Sequence, residues 1–106
     1  MDFISIYGEK YPVSFDLSHF VDIEQKTGKP WEEVFDNLNL NYSCVILHTA
    51  LVHGHYDYYR NWNFNWSIED LVDYYSVFRL SLNEHLLIVA RQLCQNDVKP
   101  YFYLNN

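Results

Sequence analysis

Apolar and polar residues change their period several times along the chain, and each change marks an element. Phe3-Ile4-Ser5-Ile6-Tyr7 is β-branched and aromatic, and Tyr11, Val13 and Phe15 alternate with Pro12 and Ser14 beyond a Gly8-Glu9-Lys10 turn. Alternation across a short turn predicts a β-hairpin over residues 3–15. Pro12 has no N–H for a ladder, which places its nitrogen on an edge. Two strands alone are marginal in water, so helices are expected to cover one face of the ribbon.

From Asp16 the period becomes helical. Asp16 suits an N-cap, Leu17, Phe20, Ile23 and Thr27 share a face, and Gly28 supplies a left-handed end, which predicts a helix over about 17–27. A second helix, 30–38, starts with Pro30 in its first turn and Glu32 and Glu33 at the positive end of its dipole. Trp31, Val34, Phe35 and Leu38 form its apolar stripe, and the Asn-rich stretch from Asn37 to Asn41 reads as a connector. The run from Cys44 to Val52 is apolar nearly all round, so a helix over 42–53, ended by Gly54, is expected at the centre of the fold. Ser67-Ile68-Glu69-Asp70 has the form of a capping box opening a helix over 68–79 with Ile68, Leu71, Val72 and Tyr75 on its apolar face. A second box, Ser81-Leu82-Asn83-Glu84, opens a helix over 82–95 or sits within a bent continuous one, and Leu86, Val89, Ala90 and Leu93 make the last stripe. Pro100 and Tyr101-Phe102-Tyr103-Leu104 are expected to end the chain as a tail folded back on the core.

Between residues 55 and 66 neither period holds. Tyr56, Tyr58, Tyr59, Trp62, Phe64 and Trp66 alternate with Asn and Asp, and the segment reads as a long loop. Its rings either roof the core or form an adhesive surface, since Tyr and Trp combine rigid apolar area with a polar handle. The resulting expectation is one α+β domain spanning 1–106, mainly helical, with an N-terminal hairpin and four to five helices. Its protein-binding candidates are Pro12, Tyr58, Tyr59, Trp62, Phe64 and Trp66.

Composition narrows the partners. A formal net charge of -7 repels a phosphate backbone, and the few Lys and Arg residues are scattered, which argues against nucleic acid and against an anionic membrane surface. No apolar run approaches the roughly 20 residues of a spanning helix, and Met1-Asp2-Phe3-Ile4 lacks the features of a secretory signal, so a cytoplasmic location is expected. Cys44 and Cys94 stand far apart in apolar stretches and read as reduced, buried thiols.

Candidate chemistry is sparse. His48, His53, His55 and Asp57 are the one cluster with metal-ligand side chains, but the spacing does not converge them, and His53 near a helix C-terminus has a dipole explanation. The acidic pairs Glu32-Glu33 and Glu69-Asp70 fall in first helical turns, where capping and dipole account for them. No phosphate loop, nucleophile elbow or activated Cys–His motif is present, so neither enzyme activity nor a cofactor is expected.

The order of elements is similar to a known family. Residues 6–17, Ile-Tyr-Gly-Glu-Lys-Tyr-Pro-Val-Ser-Phe-Asp-Leu, followed by Ile23-Glu24-Gln25-Lys26-Thr27-Gly28-Lys29, resemble the start of tail assembly chaperones of long-tailed bacteriophages. Leu47 to His53 resembles the family's apolar helix ending in a His, and Ser67-Ile68-Glu69-Asp70-Leu71 its next helix start. The resemblance implies a phage or prophage protein that coats the tape-measure protein, keeps its long apolar helix soluble and helps tail-tube components assemble around it. It also implies action in the host cytoplasm, absence from the mature virion, and a short form of a product that is also made as a longer frameshifted one. The segment from His55 to Trp66 departs from the family in length and aromatic content. Self-association as a homo-oligomer is also among the partner expectations. The alternatives are another small cytoplasmic interaction or regulatory module, such as an antitoxin-like partner, and a small metal-dependent enzyme.

Overall fold

A computed structural model describes residues 1–95. The expected tail at Pro100 and Tyr101 to Leu104 lies outside the described residues. The chain opens with an antiparallel hairpin of β1 (Asp2–Ile6) and β2 (Glu9–Val13), paired from Asp2↔Val13 to Ile6↔Glu9. The turn is Tyr7-Gly8, one position earlier than Gly8-Glu9-Lys10, because both residues take the positive φ of a type I′ turn, 52° and 79°. A bulky residue there is uncommon. Tyr7 is held by its ring, which packs against Trp66, Tyr74 and Phe78 at centroid distances of 5.6, 4.8 and 6.4 Å.

Five α-helices follow: α1 (Phe20–Thr27), α2 (Trp31–Asp36), α3 (Leu40–Tyr59), α4 (Ile68–Val77) and α5 (Arg79–Leu93). The α+β, mainly helical architecture is that expected, and several boundaries differ for local reasons. Asp16 does cap, accepting from the Ser18 amide at 2.9 Å, but what it caps is a single 3-10 turn, Leu17–His19, that leads into α1. Pro30 precedes α2 as its N-cap, and α2 stops at Asp36, so Trp31 and Leu38 of the expected stripe stay exposed while Val34 is buried. Asn39 caps α3 by accepting from the Tyr42 amide at 2.8 Å, so the connector is shorter than Asn37 to Asn41. The Ser67–Asp70 box forms as expected. The Ser81–Glu84 box does not: α5 begins at Arg79 after a break at Phe78, and Ser81 lies inside the helix. Cys94 is exposed, contrary to expectation, whereas Cys44 is buried and burial pushes its thiol up to about 11.

The largest difference concerns α3. Gly54 does not end it; the helix continues to Tyr59 and closes at Arg60, which takes the left-handed conformation at φ 62°. Gly54 is instead a point of contact. It is buried, and a Cβ built there would lie 2.2 Å from the Pro12 carbonyl oxygen and 2.5 Å from the Val13 Cα. Only a residue without a side chain lets β2 lie directly on the helix. One turn earlier the Ala50 carbonyl accepts a hydrogen bond from the Ser14 amide at 3.0 Å, extending the same seam.

Around α3 the core assembles from every element. Ile4, Ile6 and Val13 project from the hairpin, Ile23 from α1, Leu47 and Leu51 from α3, Leu71 and Tyr75 from α4, and Val89 from α5, each 2% exposed or less. In the interior the Tyr75 hydroxyl lies 2.6 Å from His85 Nδ1 and the Gln92 side-chain N–H donates to the Val13 carbonyl at 2.9 Å, while Gln92 Oε1 is buried with no partner among the described residues. No helix among the described residues is long and apolar enough to cross a membrane.

Gly54→Ala is expected to destabilise the protein by about 1–3 kcal/mol, because a backbone cannot yield as a side chain can. Urea unfolding of the variant beside Val52→Ala, a truncation two residues away on the opposite side of α3, checks it.

Candidate functional site

Extension of α3 to Tyr59 divides the aromatic segment in two. Tyr56, Tyr58 and Tyr59 stand on the last helical turns, and only residues 60–67 connect α3 to α4. The expected loop over 55–66 is therefore half helix, because Asn and Asp between aromatic residues do not break a helix already held by packing on its earlier turns.

Hydrogen bonds anchor the connector at its far end. Trp66 Nε1–H donates to the Tyr11 hydroxyl at 3.0 Å, and the Trp66 carbonyl accepts from His48 Nε2 at 3.0 Å. His48 Nδ1 in turn accepts from Lys26 Nζ at 3.1 Å, and Lys26 also donates to Thr49 Oγ1 at 2.9 Å. With one ring nitrogen accepting and the other donating, His48 is neutral, in line with burial and the nearby Lys26 charge, which both lower its pKa. Phe64 packs edge-on against Tyr11 and His48 at 6.0 and 5.9 Å. Phe64 and Trp66 are thus half-buried scaffold joining α1, α3 and the hairpin. Pro12 is buried beneath Gly54's approach rather than presented to solvent.

Tyr58, Tyr59 and Trp62 remain, 55%, 52% and 56% exposed. They are not free-standing. Trp62 lies flat on Tyr56 at 4.2 Å and meets His53 edge-on at 5.5 Å; Tyr58 meets Phe3 of β1 at 5.6 Å and Tyr59 at 4.8 Å; Tyr59 leans on His55 at 4.7 Å. Rings braced in this way lose little further freedom when a partner covers them.

The four metal-ligand candidates are separated. His53 stacks on His19 at 3.9 Å and its Nε2 is 2.5 Å from Asp22, His55 Nε2 is 2.9 Å from the Asn61 side-chain oxygen, His48 holds the connector, and Asp57 is exposed. The dipole reading of His53 does not hold, since α3 runs six residues beyond it; Asp22 on α1 is its partner. Among the described residues no group of three or more His, Cys, Asp and Glu side chains is placed to hold a metal ion.

A second surface was not legible as one. An apolar groove of about 510 Å³ runs along α5, walled by Leu86, Leu87 and Leu93 on one side and by Phe35 and Leu38 on the other, with Phe15 and Ile46 among its lining and, among the described residues, Asn83 as its single polar side chain other than the Cys94 thiol. Two faces of the helix carry apolar residues: Leu82 and Val89, with His85 and Gln92, turn into the core, while Leu86 and Leu93 pack partly buried against it and, with Ala90, also line the groove beside Leu87, which is 62% exposed. The signal in the sequence was Leu87, an apolar residue beside the expected stripe rather than in it.

No family model, curated protein or solved structure matches the chain.

His19, His48 and His85 all have pKa values lowered, in each case chiefly by burial. The unfolded chain therefore binds protons that the folded chain refuses, and stability present above about pH 6.5 is lost as the pH falls through the lower folded values. Urea midpoints are expected to fall between about pH 7.5 and about pH 5.5, with a smaller slope in His48→Gln, whose amide can keep one of the two bonds.

Proposed function

We propose that this protein is a non-enzymatic assembly chaperone of long-tailed phages or prophages that binds an amphipathic helix of the tape-measure protein and assists tail-tube assembly around it. The resemblance in residues 6–17 and 23–29 suggests the role, and the observation that carries it is the apolar groove that the described residues form along α5. A trough lined by Leu, Phe and Ala side chains with almost no polar group matches the apolar stripe of a helix that would otherwise aggregate. The braced ring cluster of Tyr58, Tyr59 and Trp62 supplies a second apolar contact of the kind that anchors interfaces. In this reading the protein works in the host cytoplasm and leaves before the virion is complete.

Its acidity suits such a role. Two copies of a chain carrying -7 repel one another, which opposes non-specific clumping while a client is held.

Co-expression with a long coiled-coil product encoded beside it is expected to keep that product in the supernatant. Leu87→Asp is expected to weaken retention at least about tenfold, since one charge buried without a partner costs several kcal/mol. Trp62→Ala is expected to weaken it less, by about 1–2 kcal/mol. Precipitation of the client with the wild-type protein present, or retention by Leu87→Asp equal to wild type, overturns the reading.

A further inference from the structure

The outer edge of β1 is built to pair. A two-residue turn makes Ile6 and Glu9 a hydrogen-bonded pair, and pairs then alternate along the ribbon. Ile4–Tyr11 and Asp2–Val13 are therefore hydrogen-bonded, whereas Ser5–Lys10 and Phe3–Pro12 are not. Pro12 agrees with this phase, since its position calls for no N–H. It follows that the N–H and C=O groups of Phe3 and Ser5 point away from β2.

Among the described residues no strand lies beyond β1 in the two-stranded sheet, and these four groups have no hydrogen-bond partner. Edge strands are ordinarily guarded by Lys, Pro, a bulge or a covering loop. Asp2-Phe3-Ile4-Ser5-Ile6 has none of the first three, and Phe3 and Ser5 are exposed. A row of outward groups spaced two residues apart is recognised by another extended backbone.

We propose that the edge of β1 pairs antiparallel with β1 of a second copy, joining two hairpins into a four-stranded sheet. The edge is self-complementary. With the twofold axis at Ile4, Phe3 faces Ser5 of the second copy and Ser5 faces its Phe3, so all eight outward groups are paired in four hydrogen bonds. The strand's one charge, Asp2, falls opposite Ile6 of the second copy, so like charges do not meet despite the net -7 of each chain. The two Phe3 rings lie on the same face as diagonal neighbours, within reach of one another across about 7–8 Å. Phe3 already carries Tyr58 at 5.6 Å, so the seam is flanked by rings on its solvent face. Nothing in this pairing uses the groove along α5, and it stands whether or not the chaperone role holds.

Sedimentation equilibrium of the full chain from micromolar to millimolar concentration, with residue-resolved amide exchange on the same samples, tests it. A concentration-dependent dimer is expected, with the Phe3 and Ser5 amides slowing as the dimer forms while the Ile4 and Ile6 amides stay slow throughout. Ser5→Pro removes an N–H that the hairpin itself does not use and is expected to raise the dimer dissociation constant roughly tenfold or more while the far-ultraviolet spectrum is unchanged. A monomer at every concentration overturns the proposal, as does a dimer whose Phe3 and Ser5 amides exchange at the monomer rate, or one that a folded Ser5→Pro variant leaves intact. Should that variant not fold, the amide measurement on the wild-type chain decides alone.

Discussion

Everything in this fold is arranged around the place where β2 rests on α3 without a side chain between them. Gly54 brings the Pro12 and Val13 backbone against the helix, and the Ser14 amide continues the contact to the Ala50 carbonyl. A two-stranded ribbon has too little area to be stable alone, and backbone-level contact with a long helix gives it a second layer. Once the hairpin is seated, Ile4 and Ile6 face the core and Val13 closes it; α1, α4 and α5 pack on other sides of α3, and α2 packs on α1. The all-round apolar character of Cys44 to Leu51 is a consequence of that central place.

The aromatic content serves two purposes that spatial position separates. Tyr7, Tyr11, Phe64, Trp66, Tyr74 and Phe78 form a continuous set of ring contacts joining the hairpin turn to the connector and α4. Its polar tips are used as well, since Trp66 donates to Tyr11, which donates to Glu9. Tyr58, Tyr59 and Trp62, only a few residues away in sequence, are held rigid by neighbours yet open to solvent. The histidines act in the same way as the internal rings. His48 and His53 join elements distant in sequence and His85 ties α5 to α4; burial lowers the pKa of His48 and His85, which favours neutral imidazole at both.

Much of the local structure was legible. Period-two alternation located the hairpin, Gly28 and the Ser67–Asp70 box marked helix ends, Asp16 capped the 3-10 turn that leads into α1, and the apolar run of α3 announced a central helix. The misreadings share a cause. Gly54 has the propensity of a stop, and Ser81 to Glu84 the pattern of a start or of a stretch within a bent helix; packing commits both to helix interiors, the second just past the break at Phe78. The binding candidates were grouped by proximity along the chain, which cannot tell Phe64 and Trp66, facing Tyr11, from Trp62, facing water.

What the amino-acid sequence determined by itself is whatever depends on neighbours within a few residues: strand alternation, caps, apolar stripes and the absence of a phosphate loop or cysteine motif. Tertiary structure alone decided which stripes are covered. α5 carries two, and only the position of α3 makes one of them core and leaves Leu86, Leu87 and Leu93 lining a groove. Likewise the Pro12 nitrogen does stand on the outer edge of β2, but Pro12 is buried against Gly54 of α3, and among the described residues the uncovered edge belongs to β1, whose residues carry no mark of it. The physical reason is that burial is a relation between elements far apart in the chain. Periodicity states which face is apolar, and only the assembled layers state what that face meets.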